Sequence, residues 1–232
     1  MTGRAILWFW IVCLCTSILG FPYFWFSIKN RVALSPESLF ALDIVVGAFI
    51  SGLACYIGFK ITPKTDLTPF LYTPWMKRTL LPSLIAGVLV GGGVALLDRF
   101  VLHPSLSNHP IPLWSEGIYA LDKAVRGTII LRFCLFTCVY FLVCKWLSRL
   151  QRLSKLWIAN LIVAFPFALF ILLGSLHLEF SIHDALWKTF LFSGAPNLVF
   201  GSLYWSRGLG ATIGATVIEK WVTQLFAYVL SV

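Results

Sequence analysis

Seven stretches of this chain are apolar over about the 20 residues that a helix needs to cross a bilayer, and this limits its folds more than any other feature. In hydrocarbon, every backbone N–H and C=O must be satisfied within the protein, so runs of this length form helices. They cover 5–28, 38–60, 79–98, 127–147, 157–178, 187–205 and 209–231. Pro22 interrupts the first and Pro196 the sixth, so the number lies between six and eight, with about seven expected. Composition agrees: 59% of the 232 residues are hydrophobic and 12% charged, whereas soluble domains hold about 45–50% apolar and about 25% charged residues. The expected fold is all-α, a polytopic transmembrane helix bundle that forms a single domain over 1–232.

Residues 5–19 have the length of a signal-peptide core, yet the run continues through "FPYFWFSI" without a small-residue cleavage pattern. A retained helix is expected, with Trp8, Trp10, Tyr23 and Trp25 as interfacial anchors. With seven spans, Arg4, Lys60, Lys64, Lys77, Arg78, Lys145, Arg149, Arg152, Lys155 and Arg207 gather on the N-terminal side. Lys29, Arg31, Arg99, Lys123, Arg126 and Lys188 lie on the other. Ten against six places the N-terminus in the cytoplasm, and a bacterial cytoplasmic membrane is the expected location. The net charge of +9 is explained by short loops that meet anionic lipid. No basic, aromatic-interleaved patch is present to bind nucleic acid.

All six cysteines fall within the expected spans, where thiols behave as small hydrophobes, so neither a disulfide nor a metal site is expected, and no cofactor. His103, His109, His177 and His183 fall in loops or at helix ends. With Glu179 and Asp184, "HLEFSIHD" offers ligand types that suit a divalent metal, a chance pattern in short polar loops. Ser83, Gly87, Gly91 and Ala95 recur at four-residue spacing, as do Gly210 and Gly214. Small residues in register let helices approach closely, and a packing role is expected for both sets.

Ionisable residues inside a span need a partner or a wet cavity, because each costs about 2.5–3.5 kcal/mol at mid-bilayer. Asp43, Arg132, Glu219 and Lys220 are such residues. Arg132 should find its carboxylate on another helix, first Glu219 and second Asp43.

The segment "GTIILRFCLFTCVYFLV" resembles the signature helix of the CPBP family, the CAAX-protease and bacteriocin-processing intramembrane peptidases, in which two adjacent glutamates precede an arginine by three residues. The stretch "NLVFGSLYWSRGLGATIGATVIEKW" is similar to the closing region of that family, where a Gly-x-Leu-Tyr-x-x-x-Gly-Leu turn leads into a helix with the last catalytic histidine. Between them, "WIANLIVAFPFALFI" takes the place of a helix with a Phe-x-x-x-His motif. The resemblance covers 120–231 and implies a glutamate pair that activates water and histidines that support peptide cleavage.

The departures from that pattern are systematic. Gly127 and Thr128 stand at the glutamate places while Arg132 keeps the arginine place. Phe167 fits the aromatic position, but Ile171 replaces the histidine that should follow it. Thr216 replaces the final histidine, and Lys220 its polar follower. A shifted alignment would use Asp122 as acid, Arg126 as arginine and His177 as histidine, at the cost of the apolar matches after Arg132. The expectation is a non-catalytic, CPBP-like membrane protein that binds a lipid-like ligand or another membrane protein as an assembly or regulatory subunit. Two alternatives remain: an active intramembrane endopeptidase using the shifted residues, and a small transporter or channel lined by the intramembrane charges.

Overall fold

A computed structural model of the chain describes residues 3–28, 35–67, 79–101, 113–177 and 181–231. Among them all regular structure is helical. Helix α1 spans Gly3–Ile28 and α2 Pro36–Ile61. Ser35 caps α2 by accepting from the Ser38 amide at 3.2 Å, and Pro36 at the first helical position needs no amide partner. Helix α3 is Leu81–Val101, and α4 is Leu113–Thr128. The latter runs through a wide, π-type stretch at Ile129–Phe136 into α5, Thr137–Trp146, so that one rod extends from 113 to 146. Helix α6 is Arg152–His177 and α7 is Ile182–Thr189. A second wide stretch, Phe190–Gly194, leads into α8, Ala195–Arg207. Gly208, at φ 88°, turns the chain into α9, Leu209–Ser231, a conformation that a side chain would strain.

Three helices among the described residues are long and apolar enough to cross a bilayer: Ile44–Lys64, Ala120–Trp146 and Arg152–Leu176. That is fewer than the seven expected. Ile6–Leu19 and Leu81–Leu96 are apolar but shorter. The expected span at 187–205 divides into α7, the wide stretch and α8. The span at 209–231 is one helix, made more polar by its threonines, Glu219 and Lys220. Large apolar side chains point outward from these helices, among them Phe49, Phe165, Phe170 and Leu225. Such a surface suits lipid and not water.

The 113–146 rod is the centre of the assembly, with 44% of its apolar window buried against 22% and 28% for the other two long helices. Helices α1 and α2 pack on one flank, α9 meets α4, and α6 closes on α5. Phe133, Phe136 and Tyr140 meet Leu156 and Val163 of α6 and Tyr204 of α8 in the main core. A second cluster joins Cys13 of α1 and Cys55 of α2 to Val125 and Ile129.

The closest helix pairing is between α3 and α9. A Cβ at Gly87 would stand 2.6 Å from Ile218 Cβ and 2.7 Å from the Ala215 carbonyl, and one at Gly91 would stand 2.6 Å from the Glu219 carbonyl. Ser83 Oγ donates to the Ala211 carbonyl at 2.8 Å, Thr223 Oγ1 donates to the Gly91 carbonyl at 3.3 Å, and Ala95 is buried. Gly214 meets only the Ser83 side chain, at 3.4 Å, and Gly210 has nothing within 4 Å. The close approach is therefore made by the glycines of α3. Gly91→Ala should overpack the interface and destabilise the detergent-purified protein by about 1–3 kcal/mol, whereas Gly210→Ala should leave its thermal midpoint unchanged or raise it. Equal loss in both variants would contradict the assigned interface.

At the end of α2, Asp66 ties three elements together. Tyr140 donates to its Oδ1 at 2.7 Å and Arg152 Nε donates to its Oδ2. Burial raises the Asp66 carboxyl, but donation from Tyr140 and Arg152 and the charge of Arg152 outweigh it, and the group titrates below its ordinary value. A lowered carboxyl contributes stability that is present above the unfolded value, about 3.9, and lost as pH falls through the lower folded value. The thermal midpoint should therefore drop in this acid window, and Asp66→Asn should flatten that slope while lowering the midpoint at neutral pH. An unchanged slope would remove Asp66 from the account.

Candidate functional site

Arg132 lies in the first wide stretch, where the helix loosens; such stretches are frequent at functional sites. Its carbonyl accepts from Thr137 Oγ1 at 3.4 Å. Its guanidinium is buried, 3% exposed for the whole residue. Nη1 donates to Asn160 Oδ1 of α6 at 3.3 Å. Nη2 donates to the Asn197 carbonyl of α8 at 2.8 Å and to Asn197 Oδ1 at 2.6 Å.

Both amides are oriented by a second bond. Asn160 Nδ2 donates to the Leu198 carbonyl at 3.0 Å, and Asn197 Nδ2 donates to Ser193 Oγ at 3.3 Å. Gly201 of α8 makes this possible, because Asn160 Oδ1 occupies the space that a Cβ there would need. A single guanidinium thus joins the central rod to α6 and α8.

The expected carboxylate is not its partner. Glu219, 3% exposed, receives Lys220 Nζ at 3.1 Å instead, and Lys220 is half-exposed. Asp43 belongs to α2, and its side chain lies outside the described ones. Neutral amide oxygens took the role assigned to an acid because they reach the guanidinium from two helices at once.

Beside Arg132 is a cavity of about 230 Å³. Gly127, Thr128, Ile171, Thr216 and Lys220 all line it together with Arg132, although they come from three separate parts of the chain. Phe167, Asn197 and Glu219 also face it. Asp122 and Arg126 are not on its wall; they pair with each other one helical turn apart, with Asp122 fully buried. The side chain of His177 lies outside the described ones, as do His103, His109 and Glu179. His183 is exposed, accepts from Trp187 Nε1 at 3.0 Å and sits beside Asp184. Among the described residues no group of three His, Cys, Asp or Glu gathers to hold a metal, and all six cysteines are free thiols.

Asn160, Asn197, Ser193 and Gly201 carry the site's architecture without having been singled out by the sequence. Asn160 had a readable signal, since an amide within the apolar run "WIANLIV" needs a partner much as a charge does. Gly201 had none, because its need is created by Asn160 from another helix.

Compared with known proteins, the chain matches no family model, no curated protein and no solved structure.

The guanidinium network predicts a measurable coupling. In a double-mutant cycle of Arg132→Met and Asn160→Leu, read by thermal unfolding in detergent, the two changes should be non-additive by about 0.5–3 kcal/mol. Additive losses would mean that the pair does not stabilise the helix contact.

Proposed function

We propose that the chain is a CPBP-like membrane protein of about seven spans, with a cytoplasmic N-terminus, that lacks the peptidase residues and uses the corresponding cavity for binding. It acts as a non-catalytic assembly or regulatory subunit for a membrane protein or a lipid-like ligand. One observation carries this reading: Gly127, Thr128, Ile171 and Thr216, the positions at which the family pattern puts its acids and histidines, line one cavity with Arg132. Their presence on one wall, from three separate parts of the chain, is what supports the reading.

The chemistry of the wall supports binding over cleavage. Peptide hydrolysis by a general base needs a carboxylate free to take a proton from water, with donors aimed at the developing oxyanion. The only carboxylate among the described lining residues is Glu219, and it is engaged by Lys220. No histidine is among them.

Arg132, Glu219 and Lys220 share this cavity, which also favours a second reading as a small transporter. Ion or proton flux in proteoliposomes, lost on Glu219→Gln, would establish that reading in place of the first. For the binding reading, detergent-purified protein should not cleave a membrane peptide above the background of the Glu219→Gln variant. Cleavage abolished by Asp122→Ala, His177→Ala or Glu219→Gln would overturn it.

A further inference from the structure

Arg132 is a buried cation whose three described acceptors, Asn160 Oδ1, Asn197 O and Asn197 Oδ1, are all neutral. Its Nε donates to no described residue. A charge withdrawn from water needs a counter-charge or a polar cavity, and the cavity is beside it. Thr128, 4% exposed, also lines that cavity, and its hydroxyl has no hydrogen-bond partner among the described residues. Lys220 holds Glu219 through one ammonium proton and retains two more donors. Among the described lining residues, Arg132 and Lys220 stand against one carboxylate, Glu219, which leaves the wall cationic.

We propose, building on the binding reading above, that this cavity takes a phosphate group carried by a lipid. Three features select a phosphate. The guanidinium Nε, the Thr128 hydroxyl and the Lys220 ammonium belong to three side chains, which suits a tetrahedral group with three terminal oxygens better than a planar carboxylate with two. A phosphate monoester carries a charge of about −1.5 to −2 at pH 7, opposite in sign to the wall. At about 230 Å³ the cavity is smaller than the roughly 300–1,000 Å³ of pockets that enclose drug-sized ligands, so it fits a head group and leaves the rest of the molecule outside. The lipid bearer follows from the surroundings. Phe167 lines the cavity and is 36% exposed, and Phe170, on the same helix, is 77% exposed, so the wall continues into the apolar outer face of α6 where a tail would lie.

The test is native mass spectrometry of the detergent-purified full chain, titrated with dioleoyl phosphatidic acid, dioleoylglycerol or inorganic phosphate. Phosphatidic acid should bind at least about tenfold more tightly than dioleoylglycerol, the energy of one charge-assisted hydrogen bond. Thr128→Val and Lys220→Gln should each weaken it about tenfold, in variants whose thermal midpoints match the parent. Inorganic phosphate should bind weakly. If it binds as tightly as phosphatidic acid, the phosphate stands and its lipid bearer is overturned. Equal binding of dioleoylglycerol, or binding indifferent to both substitutions, overturns the proposal itself. Neither result depends on proteolysis: a failure here with no peptide cleavage leaves the non-catalytic reading intact, and cleavage with normal lipid binding sinks only that reading.

Discussion

A guanidinium held by two amides from two other helices is the interaction on which the rest of this structure depends. Lipid supplies no hydrophobic force between helices, so close packing and interhelical hydrogen bonds decide how they dock. Arg132 supplies the second of these for the central rod, α6 and α8 together. Asn160 can reach it only because Gly201 leaves room, and Asn197 is aimed by Ser193 near the end of the wide stretch that precedes Pro196. Four modest residues on three elements therefore behave as one unit. The loosened helix around Arg132 is part of the same unit, since regular winding would direct the side chain differently.

Close packing is supplied on the other side of the cavity by α3. Ser83, Gly87 and Gly91 bring α9 in until backbone meets backbone, through Ala211, Ala215, Ile218 and Glu219. Helical periodicity then dictates what the adjoining face of α9 does. Thr212, Thr216, Glu219 and Lys220, spaced by four, three and one, fall on the face that lines the cavity. A stripe with no chemistry of its own thus positions the charged wall of the site.

Much of this was legible in the chain because lipid imposes simple rules. The helical class follows from run length, and the α3 stripe from the spacing of small residues. The sharing of one cavity wall by Gly127, Thr128, Ile171, Thr216 and Arg132 follows from no periodicity, since none links residues so distant in sequence. The partner of Arg132 was misjudged for a physical reason: a search confined to ionisable residues overlooks amides, which supply the same oxygen acceptors at lower desolvation cost. Among the described residues three helices, not seven, are long and apolar enough to span, because a run can contain a break, as at 187–205, or be diluted by polar residues, as in α9. Gly214 sits against Ser83 of α3 but Gly210 meets nothing within 4 Å, because spacing alone does not say which face meets a neighbour.

The electrostatics of the cavity bear directly on what such a site can do. A water-activating carboxylate must be available as a proton acceptor, whereas Glu219 is committed to Lys220 and shares its wall with two further cations. Gly127 and Thr128 bring no negative charge to the wall beside Arg132, so its described charges are mainly positive. The same arginine spends its Nη atoms on the helices, while its Nε donates to no described residue and its charge lies beside the cavity. A scaffold that must bury a cation to hold its helices together carries, by that fact, the beginning of an anion site.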